Sequence, residues 1–143
     1  NFRSYQGASL VKPNTDEAGQ ATQIEIRTDA DLRNAGARLL DLWQTEAVLV
    51  SRGEEGMSLF QSEGRYHQVQ ALNRAAVFDV TGAGDTVVAT LSVALGSGCD
   101  LPEAMELANL AASIVIRRHG CSTTTPQEMT ETLLETKENE IHA

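Results

Sequence analysis

The chain has 143 residues and a formal net charge of −9 at pH 7; 41% of its residues are hydrophobic and 4% are aromatic. This composition suits one globular domain with an aliphatic core, and an acidic balance without a basic block argues against a nucleic-acid or membrane-surface partner. Two cysteines, Cys99 and Cys121, are too few for a disulfide framework, and no apolar run is long enough to cross a membrane, so we expect a cytoplasmic protein with reduced thiols.

The first half of the sequence predicts a strand, a helix, a second strand and a hairpin. The apolar segment from Ala8 to Lys12 ends at a proline and indicates a strand. A helix is predicted over 28–45, because Thr28 and Asp31 suit an N-terminal cap and the apolar residues that follow share one face. The continuous apolar run that begins AVLVS at residue 47 is typical of a buried parallel strand. Alternating segments on either side of SEG, residues 62–64, predict the hairpin.

The second half predicts three helices after a glycine-rich turn. The first covers about 84–95, and the second begins at Asp100, with Glu103 as its capping-box partner. We expect the second helix to stop at Gly120, so that its last turn holds a cluster of cations, where they suit the helix dipole: Arg117, Arg118 and His119. Thr125 and Glu128 cap the third. Alternating strands and helices predict an α/β fold with a mostly parallel sheet flanked by helices, in one domain.

The segment DVTGAGD, residues 79–85, places bare backbone at the start of a helix. It is not a P-loop, since no lysine follows Gly84, and it lacks the third glycine of a dinucleotide fingerprint. What remains is a helix N-terminus whose unpaired N–H groups favour an anion. Asp85 beside a bound phosphate would be repulsive unless it accepts a proton, which indicates phosphoryl transfer. The alternative is that Asp85 only stabilises the helix and the glycines only form a tight turn.

Four segments, in this order, resemble the signature stretches of the PfkB/ribokinase family of carbohydrate kinases. They are LVKPNTDE (10–17), VLVSRGEEGMSL (48–59), DVTGAGD (79–85) and LANLAASIVIRRHGCST (107–123). Val80 departs from the threonine that is usual in the third segment. The resemblance implies a ribokinase-like fold. Within the family, the wording is most similar to that of the bacterial heptose 7-phosphate kinases, the kinase half of the heptose kinase/adenylyltransferases of lipopolysaccharide synthesis.

The resemblance also implies cofactors and site residues. ATP and Mg²⁺ would be the cofactors, with a monovalent cation such as K⁺ beside them. Asp85 would be the catalytic base, and the transferred group would meet the backbone of Gly82, Ala83 and Gly84. The nucleotide would be bound by five residues: Asn14, Ser51, Gly53, Gly56 and Asn109. Three residues would serve metals: Glu17 for magnesium, and Asp79 and Thr81 for the monovalent cation.

Simpler structural roles remain open for three of these residues. Glu17 could be an exposed glutamate at the end of a strand. Asp79 could cap the turn through its own backbone, and Asn109 could pack between helices, since a buried amide needs a hydrogen-bond partner wherever it lies.

For the function, the resemblance implies phosphoryl transfer from ATP to the anomeric hydroxyl of D-glycero-D-manno-heptose 7-phosphate, a precursor of ADP-heptose. The family's N-terminal half, with its sugar-binding residues and lid strands, has no counterpart here, and the chain does not begin with methionine. We therefore expect residues 1–143 to be the C-terminal, nucleotide-binding portion of one kinase domain, inactive when isolated. The alternatives are another PfkB-family sugar kinase, ribokinase-like or phosphofructokinase-like, and a nucleotide-binding module without turnover. A homodimer is also left open.

Overall fold

The computed structural model describes residues 2–72 and 80–141, with side chains for 4–72 and 80–137. The chain divides into two compact units, Asn1–Gln70 and Ala71–Ala143. The first contains a 3₁₀ turn (Phe2–Tyr5) and six regular elements: β1 (Leu10–Val11), α1 (Thr15–Thr22), α2 (Asp29–Trp43), β2 (Ala47–Ser51), β3 (Met57–Gln61) and β4 (Tyr66–Val69). The second contains three helices: α3 (Ala83–Gly96), α4 (Leu101–Val115) and α5 (Pro126–Ile141). The prediction of a single domain stays a prediction.

The four described strands form one mixed sheet in the order β1-β2-β3-β4. β1 runs parallel to β2, whereas β2–β3 and β3–β4 are antiparallel. The expectation of a mostly parallel sheet was therefore wrong for these strands. The reason is connection length, since a parallel neighbour needs a long crossover and short turns return the chain antiparallel. Glu63 and Gly64, with φ of 65° and 72°, make the predicted hairpin turn between β3 and β4.

Helix α2 packs on one face of this sheet and forms the core of the first unit. Thr28 and Asp31 make the predicted capping box at its start. The buried residues of the helix and the strands form one cluster that includes Leu32, Leu39, Trp43, Val48, Val50 and Phe60. Gly36 faces the ring of Phe60 so closely that a Cβ at this position would lie 2.5 Å from ring carbons. The glycine inside α2 is therefore explained by close packing.

Helix α1 was not predicted from the sequence, and β1 is shorter than the expected strand over 8–12. Only Ala18 and Thr22 of α1 are buried among its residues, and Thr22 Oγ1 donates to the carbonyl of Ala18 at 2.8 Å. So small a buried face produces little apolar periodicity. Asn14 caps the helix, so the PNTDE stretch is a strand exit followed at once by a helix start.

In the second unit, α3 and α4 pack against each other. Asp100 and Glu103 make the predicted capping box of α4. The helix ends at Val115, so the prediction that its last turn holds the basic residues 117–119 was wrong. The chain tightens there into bonds from the Arg117 and Arg118 N–H groups to carbonyls three residues back. Ser122 Oγ also donates to the Val115 carbonyl, which helps to close the helix end.

Helix α5 begins as predicted at a reciprocal pair of hydrogen bonds between Thr125 and Glu128. Arg118, beyond the end of α4, donates to Glu128 and to the carbonyl of Thr123. The Arg118 guanidinium, followed by the Thr125 N–H, holds the pKa of the Glu128 carboxyl below its usual value. Among the described helices, none combines the length and apolarity that crossing a bilayer requires.

Candidate functional site

The predicted site residues of the first unit lie where β1 and β2 end. Because these strands are parallel, their carboxyl ends meet at one edge of the sheet, where α/β folds commonly bind ligands. Asn14 forms a parallel bridge to Ser51, and the Ser51 N–H donates to the Pro13 carbonyl at 3.0 Å. Thr15 Oγ1 donates to the Ser51 carbonyl at 3.4 Å. The structure therefore brings Asn14 and Ser51 together at this edge.

Glu17 belongs to the same group, but its carboxylate already has a structural task. Its Oε2 accepts the Asn14 N–H at 2.8 Å, and Asn14 Oδ1 accepts the Glu17 N–H at 2.8 Å. Both residues are exposed, so this capping box faces solvent. A carboxylate offers about four acceptor positions, so one cap bond leaves room for a cation ligand. The alternative of an exposed glutamate at the end of a strand is wrong in one respect, because Glu17 lies in the first turn of a helix.

The turn from Ser51 to Gly56 is held by its own backbone. The Arg52 N–H donates to the Gly56 carbonyl at 2.8 Å, and the Gly56 N–H donates to the Gly53 carbonyl at 3.1 Å. Gly53 and Gly56 have φ of 58° and 90°, conformations that strain any residue with a side chain. The two glycines therefore permit a tight turn beside Ser51, in which Gly53 is exposed and Gly56 is buried.

Two residues of this edge were missed in the sequence. Lys12 Nζ donates to Ser51 Oγ at 3.5 Å, which brings a cation to the predicted nucleotide residues. Arg52 directs its side chain away from solvent, into contacts with Asp29 and Glu55. Both residues lie inside segments that carry the family resemblance, so their place in those segments was the signal that could have pointed to them. Their pairing could not be foreseen because it depends on how the strands align.

In the second unit, α3 begins at a bare glycine. Gly82 is the N-cap with φ of 80°, and it provides no side-chain hydrogen bond to the first turn. Ala83, Gly84 and Asp85 form that first turn, and the Asp85 side chain is exposed. Within the described residues, the cap position thus gives the helix N-terminus no side-chain acceptor, an arrangement that suits an external anion. Thr81, in the turn before Gly82, is exposed as well.

The turn after α4 comes close to this glycine. A Cβ at Gly82 would lie 3.0 Å from Cys121 Sγ, which is tighter than ordinary packing. Position 82 therefore excludes a side chain twice, through its left-handed backbone and through Cys121. Cys121 itself is exposed.

Asn109 and Asp79 complete the set. Asn109 lies on α4 and is buried, with 7% of its surface exposed. Its burial agrees with the helix-packing alternative as directly as with a role at the nucleotide. Asp79 lies outside the described residues. Within the described part of the chain, no group of three or more His, Cys, Asp or Glu side chains is placed to hold a metal ion.

A surface cavity of about 460 Å³ lies elsewhere in the first unit, between α2 and the β3–β4 hairpin. Its walls include Arg33, Phe60 and Tyr66, and the Arg33 guanidinium lies 3.9 Å from the centre of the Tyr66 ring. The predicted site residues do not line it. The candidate site is therefore defined by its backbone geometry and glycine turns, and it does not coincide with this cavity.

The family model for the pfkB family carbohydrate kinases matches residues 3–128 of the chain. The chain belongs to this family. Its relatives include the bifunctional protein HldE of Geotalea uraniireducens, 43% identical over 129 residues, and that of Coxiella burnetii, 42% identical over 133 residues. These matches cover 90% and 93% of the chain but 26% and 28% of the relatives. The chain therefore spans about a quarter of the length of the curated relatives that it matches.

Solved structures confirm the ribokinase-like fold. Arabidopsis thaliana ribokinase, in complex with ribose and ATP, superposes with a TM-score of 0.84 at 27% identity, over 92% of this chain and 42% of the ribokinase. Phosphofructokinase-2 of Escherichia coli, in complex with potassium, gives 0.79 at 23% identity, over 90% and 41%. The second likeness shows the fold alone. This pfkB-family chain thus corresponds to less than half of either structure.

Proposed function

We propose that the chain supplies the nucleotide-binding and phosphoryl-transfer residues of an ATP-dependent sugar kinase. The observation that carries the proposal is the start of α3, where Gly82 leaves the helix N-terminus without a side-chain cap and Asp85 stands exposed in the first turn. Membership of a carbohydrate kinase family supports the reaction class.

The backbone of residues 82–85 is proposed to stabilise the transferred phosphoryl group. Phosphoryl transfer depends mainly on positioning and on electrostatic stabilisation of the phosphate oxygens. N–H groups fixed by a helix need no reorganisation as charge develops, which makes them effective donors. Gly82 and Gly84 allow the phosphate to approach the backbone without steric hindrance from a side chain.

Asp85 is proposed as the general base. Its carboxylate would take the proton from the acceptor hydroxyl as the hydroxyl oxygen bonds to the γ-phosphorus and the bond from that phosphorus to the bridging oxygen of ADP breaks. The alternative role of Asp85 is to stabilise the helix start as an acidic residue of its first turn. This role explains less of the arrangement, because it does not require the carboxylate to face a substrate.

The first unit is proposed to contact the nucleotide through Asn14, Ser51, Gly53 and Gly56. The bonds that join Asn14, Ser51 and Thr15 support this assignment, because they place two hydroxyls, one amide and a glycine turn at a single sheet edge. Lys12 adds a positive charge there that suits phosphate. Asn109 is retained as a proposed adenine contact, on the resemblance alone.

Magnesium and a monovalent cation are proposed as cofactors. Glu17 fits a magnesium role, because it is an exposed carboxylate with acceptor positions beyond its cap bond. Magnesium supplies charge neutralisation at the phosphates when bound. Asp79 and Thr81 are proposed for the monovalent cation. That assignment is retained on the family resemblance of the segment DVTGAGD alone.

The proposed acceptor is the anomeric hydroxyl of a heptose 7-phosphate. HldE relatives at 42–43% identity support it over the ribokinase-like and phosphofructokinase-like alternatives, whose structures are 27% and 23% identical. Because the match spans about a quarter of each relative, the isolated chain is proposed to bind nucleotide without phosphorylating sugar.

The test is the melting temperature of the chain with ATP or ADP, with magnesium and with EDTA. A ligand that binds the folded state raises its apparent stability in proportion to the logarithm of concentration over Kd. We expect a shift at millimolar nucleotide that requires magnesium. No shift contradicts an intact nucleotide site. A coupled ADP-release assay with heptose 7-phosphate, ribose and fructose phosphates should show no sugar-dependent turnover, and clear turnover contradicts the proposed division of labour.

A further inference from the structure

Arg52 lies in the proposed nucleotide turn, yet its side chain is only 10% exposed. Nη2 lies 3.0 Å from Asp29 Oδ1 and 2.6 Å from Glu55 Oε2. Nη1 lies 3.4 Å from Ser58 Oγ. The guanidinium therefore uses its fork of donors on three different partners, which a lysine could not reproduce.

The burial of this guanidinium distinguishes it from an ordinary surface pair. Arg27 and Glu25 also form an ion pair, but both side chains are 72% exposed, and such pairs contribute little. A charge that is nine-tenths buried depends on its partners, because losing one leaves the charge uncompensated. The Arg52 contacts are therefore a strong local constraint on the conformation of the turn.

The three partners connect the turn to two rigid elements. Asp29 is the first residue of α2, whose start is fixed by its capping box. Ser58 is fully buried in β3, and its hydroxyl lies 3.2 Å from the Tyr66 hydroxyl in β4. Glu55 belongs to the turn itself, and its N–H donates to the Arg52 carbonyl at 3.1 Å. Arg52 thus ties the turn to the helix and to the hairpin at once.

We infer that Arg52 is a positioning residue, which holds the Ser51–Gly56 turn in the conformation that presents its backbone to the nucleotide. Two carboxylates already offset its charge, so its effect on phosphate passes through the turn rather than through direct contact. The inference rests on the proposed function, which assigns the turn to the nucleotide.

The experiment compares Arg52→Gln and Arg52→Lys with the control Arg27→Gln, each made in the 143-residue chain. Titration calorimetry with Mg·ADP gives Kd, and hydrogen exchange of residues 52–56 without nucleotide reports the order of the turn. We expect Arg52→Gln to weaken Mg·ADP by about tenfold or more and to accelerate exchange in the turn, with the amides of α2 still protected. Arg52→Lys should fall between, and Arg27→Gln should match the unsubstituted chain.

The outcomes separate the two hypotheses. If the unsubstituted chain binds no Mg·ADP, the proposed function fails and this inference fails with it. If the chain binds and a folded Arg52→Gln binds equally well, only the inference is overturned. Should Arg52→Gln not fold, Glu55→Gln removes one arm of the network from the exposed side. Unchanged exchange and affinity in Glu55→Gln and Arg52→Lys together then overturn the inference.

Discussion

Helices α2 and α3, each of which contains glycine, differ in how their N-termini are capped. At α2, Thr28 and Asp31 exchange hydrogen bonds with the backbone, so that the helix start is closed by its own side chains. At α3, a left-handed glycine stands in the cap position and gives no side-chain bond. α1, α4 and α5 follow the pattern of α2.

The comparison shows at which helix start the chain does without the stabilisation of a side-chain cap. A side-chain cap contributes about 1 kcal/mol relative to alanine but only a few tenths of a kcal/mol relative to glycine, and an Asn, Asp, Ser or Thr at the cap is the common solution. Gly82 forgoes this contribution at one helix start while the chain uses it at the four others. An uncapped helix start beside an exposed aspartate also fits the phosphate site proposed above, in addition to the backbone and packing reasons for a glycine at position 82.

The largest effect is expected for Asp85→Asn, which keeps the shape of the α3 start and removes the proposed base. Turnover should fall by roughly 10² to 10⁴-fold, the range for a lost general base. Nucleotide affinity should stay the same or rise, because a carboxylate beside the phosphates is removed. Turnover is measured in a chimera in which this chain replaces the matching part of Geotalea uraniireducens HldE, and affinity is measured on the chain itself.

The control for Asp85→Asn is Asp41→Asn, an exposed aspartate of α2 that removes the same charge. It should leave turnover unchanged. Near-normal turnover in a folded Asp85→Asn chimera would reduce Asp85 to a first-turn helix stabiliser, and α3 would then differ from α2 in its cap alone.

The next largest effect is expected for Gly82→Val. The valine side chain would stand in the path of the phosphate, in a backbone conformation with φ of 80° and against Cys121 Sγ. We expect nucleotide affinity and turnover to fall together, with a loss of stability of about 1–3 kcal/mol from the strained backbone. Calorimetry on the chain and turnover of the chimera measure the two functional effects.

Gly98→Val is the matched control, because Gly98 has φ of 96° just beyond the other end of α3, where the described residues leave open space. It should lose similar backbone stability while nucleotide affinity is kept. Equal losses of affinity in both variants would show that strain, not access to the helix start, explains Gly82.

A smaller and purely structural effect is expected for Gly36→Ala in α2. Alanine is the better helix former by about 1 kcal/mol, yet its methyl would overlap the Phe60 ring, which is 5% exposed and has little room to move. We expect a net loss of about 1–3 kcal/mol in a urea titration, the usual cost of overpacking. Gly96→Ala, which meets open space at the end of α3, should cost nothing measurable. A stabilised Gly36→Ala would contradict the packing explanation.

The smallest effect is expected for the change of stability at acidic pH, and it tests the helix starts that are capped by carboxylates. Hydrogen bonds from the Thr28 side chain, then from the Arg27 and Thr28 N–H groups, hold the pKa of Asp31 below its usual value; Arg118 and Thr125 lower the pKa of Glu128. Lowered pKa values mean stability that is present above the ordinary values near 4 and lost as pH falls through the folded ones.

The urea midpoints of the unsubstituted chain and of the double variant, Asp31→Asn with Glu128→Gln, should therefore differ at pH 7. They should converge as pH falls below about 4. A difference that stays constant with pH would show that the two caps do not depend on ionised carboxylates.

Much of the fold could be predicted because the signals were local. The capping pairs at Thr28, Asp100 and Thr125 were read from spacing alone, and each is present. The hairpin around residues 62–64 follows from period-2 alternation. The ribokinase-like fold followed from four short segments, and the structural comparisons confirm it.

The remainder depended on non-local contacts. Helix α4 ends early because the Arg117 and Arg118 N–H groups bond to carbonyls three residues back, while the Arg118 side chain pairs with Glu128 of α5. Helix α1 was missed because its buried face is two residues wide. In the candidate site, the sequence indicated Asn14 and Ser51 separately, whereas their bridge and the inward direction of Arg52 depend on strand alignment. The roles assigned to Asp85 and to the cations stay predictions.

The contact between Gly36 and Phe60 also has a consequence for how this sequence can vary. Positions 36 and 60 share one volume, so a substitution at either changes what the other tolerates. A methyl group at 36 becomes acceptable once the ring at 60 is replaced by a smaller aliphatic side chain, and a glycine at 36 beside such a side chain leaves a cavity. Among homologous sequences the two positions should therefore change as a pair, although they lie 24 positions apart in the sequence.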